Sequence, residues 1–380
     1  MIHIGIDYTS AALQGAGIGR YTRGLVDAAL PLLSDDKVTL MLPREDTPHG
    51  RTDWPDNIRT RRLPLPDRYQ TILWHRLRLP FYVELTTGEL DILHAPNFLL
   101  PPVRSARKLL TIHDLAFLVH PEYAFPDLQR FLAKAVPRSI DAADHILADS
   151  EASKQDALRF FDLRPEQITV VGAGVEPRFS PTGQGSDGNA KLVEIREKYE
   201  LNWPFAFSIS TLEPRKNFDG LIRAFAEARR RAAFPHHLVI AGGKGWLYQN
   251  IFEEVRRQNA GDYVHFLGYV DDADLPALYN LADLFAFPSH YEGFGIPVLE
   301  AMACGTAALC TDTSSLPEIA GDAAHLIPTD DHAALRDALA NLLSDDTTRN
   351  LLAARGPVQA AQWTWEAAAE RLLQVYRMIT

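Results

Sequence analysis

The feature that most constrains this chain is an alternation of short apolar runs with helical or polar segments, which stops once and then begins again. Runs at 2–6, 38–42, 91–94, 109–112, 145–148 and 168–171 are short and nearly all apolar. Parallel strands read this way when helices cover both faces of their sheet. After Pro181 a polar, glycine-rich stretch leads to Asn189 with no apolar period across it, and it reads as a linker. Beyond it, strands are expected at 205–210, 237–241, 263–267, 284–287, 306–310 and 323–327, with helices at 218–231, 247–258, 274–282 and 297–303. Three helices close the chain, at about 331–343, 346–355 and 365–378. The pattern predicts an α/β protein of two doubly wound domains with a cleft between them.

Bulk properties narrow the function classes. A length of 380 residues suits two domains of ordinary size. A net charge of −11 argues against nucleic acid as a partner, since dedicated binders are basic. The two cysteines, Cys304 and Cys310, match no zinc or redox spacing, which points to a reducing compartment. The N-terminus lacks a basic leader followed by an apolar run, and no apolar stretch is long enough to span a bilayer. A cytoplasmic protein is the expectation.

Ligands of doubly wound sheets bind beyond the carboxyl ends of the strands, so those ends carry the candidate residues. Strand 284–287 runs through Pro288 into Tyr291-Glu292-Gly293-Phe294-Gly295-Ile296-Pro297-Val298-Leu299-Glu300. The glycines let backbone approach a ligand, and Pro297 suits the first helical position, which puts Glu300 in the first helical turn. Free N–H groups at such a helix start form an anion site. Carboxylates there suit sugar hydroxyls, which donate hydrogen bonds. The segment reads as a seat for a nucleotide joined through phosphate to a sugar.

Strand 205–210 leads to Glu213-Pro214-Arg215-Lys216-Asn217, with Asn217 placed to cap the next helix. Two cations ahead of a helix N-terminus are unfavourable unless an anion joins them, though a solvated surface pair is the plain alternative. Lys244, in Gly242-Gly243-Lys244-Gly245, is a weaker candidate on the same edge. In the first half, strand 109–112 delivers His113, which either meets a substrate or is a structural histidine bonded to backbone. Gly15-Ala16-Gly17-Ile18-Gly19 departs from the dinucleotide fingerprint, yet its glycines would let backbone N–H groups approach a phosphate. Asp272 and Asp274 have the acid-x-acid spacing of a metal site, but they precede an apolar-periodic helix and are expected to cap it. Cys304 reads as a small buried residue rather than a nucleophile.

These segments together resemble the retaining glycosyltransferases of family four. Glu292 through Gly305 is similar to the family signature, as are Glu213 to Asn217, Gly268 to Val270, Ser314 to Asp322, Thr111 to Leu115 and the Gly15-x-Gly17 loop, all in the family's order. The resemblance implies the GT-B fold, two Rossmann-like doubly wound domains facing each other across a cleft. An acceptor-side domain would cover 1–178, joined by the last helix at about 363–380, and a donor-binding domain would cover 190–362. Arg215 and Lys216 would neutralise the donor diphosphate, Glu300 would hold the ribose, and Glu292 the transferred sugar, beside the amides of Gly293, Phe294 and Gly295. Gly15 and Gly17 would approach the diphosphate, His113 the sugar near its reacting carbon, and Tyr269 and Val270 would edge the base. No metal or other cofactor is implied.

Within the family, the Ser314 to Glu318 segment and the His94-x-Pro96 and His113-Asp114 pairs look most like bacterial mannosyltransferases that use GDP-mannose. UDP-glucose or UDP-N-acetylglucosamine is the runner-up. A non-transferring enzyme of the same fold (epimerase or phosphorylase) and a silent nucleotide-sugar binding module are the other classes. The acceptor is expected to be a glycan or lipid-linked glycan. Residues 59–83, rich in arginine and aromatics, fit two arrangements. One, the ordinary one, is a helix that packs its apolar face and leaves its arginines solvated. The other is a surface resting on anionic lipid at the inner face of the cell membrane.

Overall fold

The computed structural model describes the chain except residues 16, 50, 52 and 183–185, with the side chains of 186 and 187 also outside the description. Ala16 of the glycine loop and part of the expected linker therefore lie outside the described residues. The chain divides into two compact units, Met1–Gly174 with Thr364–Thr380, and Val175–Trp363.

The first unit holds strands β1 (His3–Asp7), β2 (Lys37–Leu42), β3 (Ile58–Arg62), β4 (Ile92–Ala95), β5 (Arg107–Ile112), β6 (His145–Ala148) and β7 (Ile168–Val170). They form one parallel sheet in the order β3-β2-β1-β4-β5-β6-β7. In β4 and β6 every residue is buried, as expected for strands covered on both faces. Strand β3 is not among the strands expected from the apolar runs. Its sequence, Ile-Arg-Thr-Arg-Arg, has no apolar run, because an edge strand with exposed charges is protected from pairing with other chains.

The second unit holds β8 (Phe205–Ile209), β9 (His237–Ala241), β10 (Val264–Gly268), β11 (Leu284–Phe287), β12 (Ala308–Thr311) and β13 (Ala324–Ile327), again parallel, in the order β10-β9-β8-β11-β12-β13. Both sheets reverse direction of growth after their third strand. The switch point of each order lies between its two central neighbours, β8 and β11 here and β1 and β4 in the first unit, where ligands of such sheets bind.

The helix Trp365–Ile379 belongs to the first unit. Its Tyr376 hydroxyl meets His94 Nδ1 at 2.9 Å, and Arg371 donates to the Val171 carbonyl at 3.1 Å. Trp365 lies so close to Gly24 that a β-carbon there would come within 2.3 Å of its ring. At the opposite end of the insertion, the Val175 amide donates to the Trp363 carbonyl at 3.2 Å, so the second unit begins and ends at one place.

The segment from 67 to 86 departs from the ordinary arrangement. It forms the short helix Asp67–Thr71, a π-helical turn Ile72–Arg76 and the helix Glu84–Thr87, and it leaves Tyr69, Ile72, Leu77, Leu79, Phe81 and Leu85 exposed.

Candidate functional site

In the second unit the loops after β8 and β11 meet at the switch point of the sheet. After β8 the chain makes a 3-10 turn, Pro214–Lys216, and Asn217 adopts left-handed backbone at φ 56° before the helix Phe218–Arg231. Asn217 does stand at the start of that helix, but its side chain does not cap it. The amide donates instead to the Pro288 carbonyl at 3.1 Å, tying the β8 loop to the β11 loop. His290 N–H and Ser289 Oγ both donate to the Arg215 carbonyl, at 2.9 and 3.1 Å, and complete the joint.

Across this joint four charges pair. Lys216 Nζ lies 2.5 Å from Glu292 Oε1, and Arg215 Nη1 lies 3.4 Å from Glu292 Oε2 and 2.7 Å from the Tyr291 carbonyl. Arg215 Nη2 also meets Glu213 Oε1 at 2.9 Å. All four side chains are mostly or wholly buried. Burial by itself pushes the Glu292 carboxyl up, but Lys216 and Arg215 outweigh it and hold the group below its ordinary value. The sequence conflict of two unpartnered cations is thus resolved internally by two carboxylates. An incoming anion would share or exchange those partners rather than meet bare charge.

The Glu292–Gly295 loop is buttressed from a third strand end. Ser314 Oγ accepts from the Glu292 amide at 2.8 Å, while Ser315 Oγ donates to the carbonyls of Glu292 and Phe294 at 3.1 and 2.7 Å. Thr311 and Thr313 hydroxyls donate to the carbonyls of Ser289 and His290, at 2.5 and 3.2 Å. Their sequence cue is slight: Ser314 and Ser315 open one of the family-like segments, and Thr311 and Thr313 lie outside it. Gly295, at φ 111°, starts the helix Ile296–Ala303, and a β-carbon on it would lie 2.7 Å from Leu316. Because that helix begins at Ile296, Glu300 falls in its second turn, not its first. Glu300 is buried and accepts from the Tyr279 hydroxyl at 3.0 Å. Val270 is buried and Tyr269 exposed, just past the end of β10. Lys244 sits over the rings of Tyr248 and Phe252, at 5.4 and 5.7 Å.

Of the acid-x-acid pair, Asp274 stands at the cap position of a helix without its side chain capping it. Asp274 occupies the position before the helix Leu275–Leu281, but its carboxylate bonds Lys198 Nζ at 2.6 Å and the Tyr199 hydroxyl at 2.9 Å, with Lys191 at 3.4 Å. Two lysines of the helix Ser186–Lys198, with the hydroxyl of Tyr199 after it, take the carboxylate in place of the helix N–H groups. Among the described residues, no group of three or more His, Cys, Asp or Glu side chains is placed to hold a metal ion. Cys304 is buried, and burial together with Glu300 pushes its thiol well up, which leaves it a poor nucleophile.

In the first unit, Gly17 at φ 50° precedes the helix Ile18–Ala29. Arg23 donates to the carbonyls of Ala11 and Gln14, at 2.6 and 2.7 Å, and fixes the loop that leads to it. His113 is buried with both ring nitrogens engaged: Nδ1 meets Asp149 Oδ2 at 2.8 Å and Nε2 meets the Pro96 carbonyl at 2.7 Å. Three successive strand ends, of β4, β5 and β6, therefore converge on one imidazole. Burial alone would lower the pKa of His113, but the charge and hydrogen bond of Asp149 hold it above its ordinary value. Asp149 is a residue that sequence reasoning missed. Its only sequence cue is an acid at the end of a strand, ahead of the helix Glu151–Phe160.

Comparison with known proteins agrees with this layout. Residues 15–179 match the model "Glycosyltransferase Family 4" and residues 193–358 match "Glycosyl transferases group 1". The chain is 35% identical over 289 residues to O-antigen chain mannosyltransferase B of Escherichia coli, covering 76% of this chain and 74% of that protein. It is 29% identical over 272 residues to the serotype-specific mannosyltransferase WbdA of Escherichia coli, of whose greater length it spans 32%. Among solved structures, sucrose-phosphate synthase from Thermosynechococcus elongatus superposes with a TM-score of 0.77 at 20% identity, over 100% of this chain and 99% of that one, a likeness of fold. With both halves matched in order and a relative this similar over most of both lengths, the chain belongs to the family-four glycosyltransferases of GT-B fold and is a hexosyltransferase.

Proposed function

We propose that the protein transfers mannose from GDP-mannose to a saccharide or lipid-linked saccharide acceptor, with retention at the anomeric carbon and without a metal ion. The observation that carries the reading is the meeting of Arg215, Lys216 and Glu292 at the switch point of the second sheet, beside the N-terminus of the helix Ile296–Ala303. Breaking the sugar–diphosphate bond leaves the bonding electrons on a phosphate oxygen and positive charge on the sugar ring. Two buried cations and a helix N-terminus answer the first charge, so the charge neutralisation that a divalent cation supplies elsewhere is available from side chains and amides. Glu292, ionised beside them, is available to the second. The acceptor hydroxyl loses its proton as its oxygen bonds to the anomeric carbon, and that proton balances the charge gained by the departing diphosphate. No side chain is assigned as a covalent nucleophile.

Glu300 is assigned to the ribose, Tyr269 and Val270 to the base, and Gly15, Gly17 and His113 keep the roles that the family resemblance gives them. Mannose as the sugar is supported by the two Escherichia coli relatives, both named as mannosyltransferases. The same reading places the enzyme in the cytoplasm, where nucleotide sugars are made. Among the described residues no helix is long and apolar enough to cross a membrane, so contact with the inner face would be peripheral.

A thermal-shift panel of GDP, UDP, ADP and their sugars tests the donor. A ligand at about a hundred times its dissociation constant adds roughly 2.7 kcal/mol of stability. GDP-mannose should raise the melting temperature most, and a flat response to every nucleotide would undermine the assignment. Product NMR reads the anomeric configuration, and an assay in EDTA reads the metal requirement; an inverted product or abolished turnover would each remove that clause.

A further inference from the structure

The first unit contains an apolar pocket that the reaction as described does not use. Leu63 and Leu65, which follow edge strand β3, face Leu73, Trp74, Phe81 and Leu85 around a volume of about 230 Å³. An apolar cavity of about 150 Å³ already accommodates benzene, so this one has room for a length of hydrocarbon chain. Two of the polar side chains in its walls are already bonded within the fold. Gln70 donates its amide to the Leu65 carbonyl at 2.5 Å, and the Trp74 indole N–H donates to the Phe81 carbonyl at 2.9 Å. A peptide would find little to hydrogen-bond there, whereas a hydrocarbon needs nothing.

The surroundings supply the other half of a lipid. Leu85 is 72% exposed and Phe81 53%, although both line the pocket, so its mouth is itself apolar. Between 59 and 83 six arginines stand against a single acid, Asp67, in a protein of net charge −11. Arg104 lies over the ring of Tyr82, another wall residue, at 5.5 Å, and Arg44 donates to the carbonyl of Pro64 at 3.0 Å. Two nearby acids each give one carboxylate oxygen to backbone: Glu45 accepts from the Asp67 amide at 2.7 Å and Glu84 from the Arg104 amide at 2.6 Å.

We propose that this pocket seats the hydrocarbon chain of a lipid phosphate, with the phosphate held by Arg104 and Arg44, which adjoin the wall residues Tyr82 and Pro64. The acceptor would then be gripped by its tail as well as presented by its sugar. Naming the ligand as the acceptor rests on the lipid-linked branch of the proposed function. The affinity for the chain itself does not, so it can be measured without any sugar transfer.

The test is isothermal titration of the full-length protein with hexyl, octyl and decyl phosphate below their micellar concentrations. Each methylene seated should tighten binding about fourfold, until the pocket is filled and the series levels off. Octyl glucoside, which has the chain without the phosphate, should bind several-fold more weakly than octyl phosphate, and Arg104→Ala should narrow that gap. Leu73→Asp, which puts a carboxylate in the wall, should abolish the dependence on chain length while leaving the thermal melt and the nucleotide response intact. If that variant fails to fold, the blue shift of Trp74 emission on adding decyl phosphate, identified by its loss in Trp74→Phe, reads the same event. Tighter binding of farnesyl phosphate than of pentadecyl phosphate, which has the same number of carbons, assigns the site to an isoprenoid carrier, and the reverse order to a membrane phospholipid. No binding of decyl phosphate, or binding that ignores chain length, overturns the proposal and leaves this face to a protein partner. A flat nucleotide panel alongside a chain-length series would overturn the donor reading instead.

Discussion

Lys216 is held between Glu292 Oε1 at 2.5 Å and the ring of Phe287 at 5.3 Å, a geometry that fixes the ammonium which the proposed mechanism assigns to the leaving group. Lys216→Ala should lower kcat by about 10²- to 10³-fold, the cost of one preorganised transition-state donor. Initial rates decide this, and turnover at the parent rate would remove Lys216 from the mechanism. His113 makes a prediction of a different kind. Its pKa is held above the ordinary imidazole value by Asp149, while burial pushes the Asp149 carboxyl up as well, so protonation favours the folded pair. The stabilisation is fully present below the ordinary histidine value of about 6.5 and is lost as pH rises through the higher folded value. Asp149→Ala should cost about 3 kcal/mol at pH 6, the lower end for breaking a buried pair, and less at pH 9. Urea unfolding at several pH values measures it, and a gap that stays constant with pH would argue against a charged pair. The cations of the site were legible because they follow a strand end. Their partners were not, since Glu292 arrives 76 residues after Lys216 and nothing local joins them.

The loop from Pro288 to Gly295 owes its shape to hydroxyls that follow β12. Ser315 satisfies two buried carbonyls at once, so Ser315→Ala should destabilise the protein by about 1–3 kcal/mol and weaken donor binding. Gly295→Ala forces a side chain into φ 111° and against Leu316, and should cost about 1–2 kcal/mol together with a higher KM for donor. Denaturation midpoints and donor titrations of both variants check the pair; wild-type values in both measurements would mean that the loop is held some other way. At this scale most elements could be placed from the apolar runs, because strands buried on both faces leave an unmistakable pattern. What escaped were elements whose partners are distant or whose faces are wet. Strand β3 is polar because it is an edge, the helix after Gly295 starts one residue early and carries Glu300 out of its first turn, and Asp274 prefers two lysines to the helix it precedes.

Taken whole, the molecule is two sheets of like order, the second inserted between the penultimate and final segments of the first. Since the insertion starts and finishes at one hydrogen bond, between Val175 and Trp363, residues 175–363 should fold cooperatively as a separate polypeptide. A single melting transition by circular dichroism is the expected result, and a molten profile would show that the unit leans on the rest of the chain. The architecture could be read from the repeat of the pattern. The place of the closing helix on the first unit followed from the family resemblance alone, because its apolar stripe suits any helix that packs on a core. That helix also sets an order of events on the ribosome. The amino-terminal sheet is synthesised first, yet the groove holding Tyr21, Gly24 and His94 has no cover until Trp365–Ile379 has emerged. The later-made unit can finish folding before the earlier one closes, so nascent chains stalled near the end should expose the first half to chaperones and proteases while the second half is already protected.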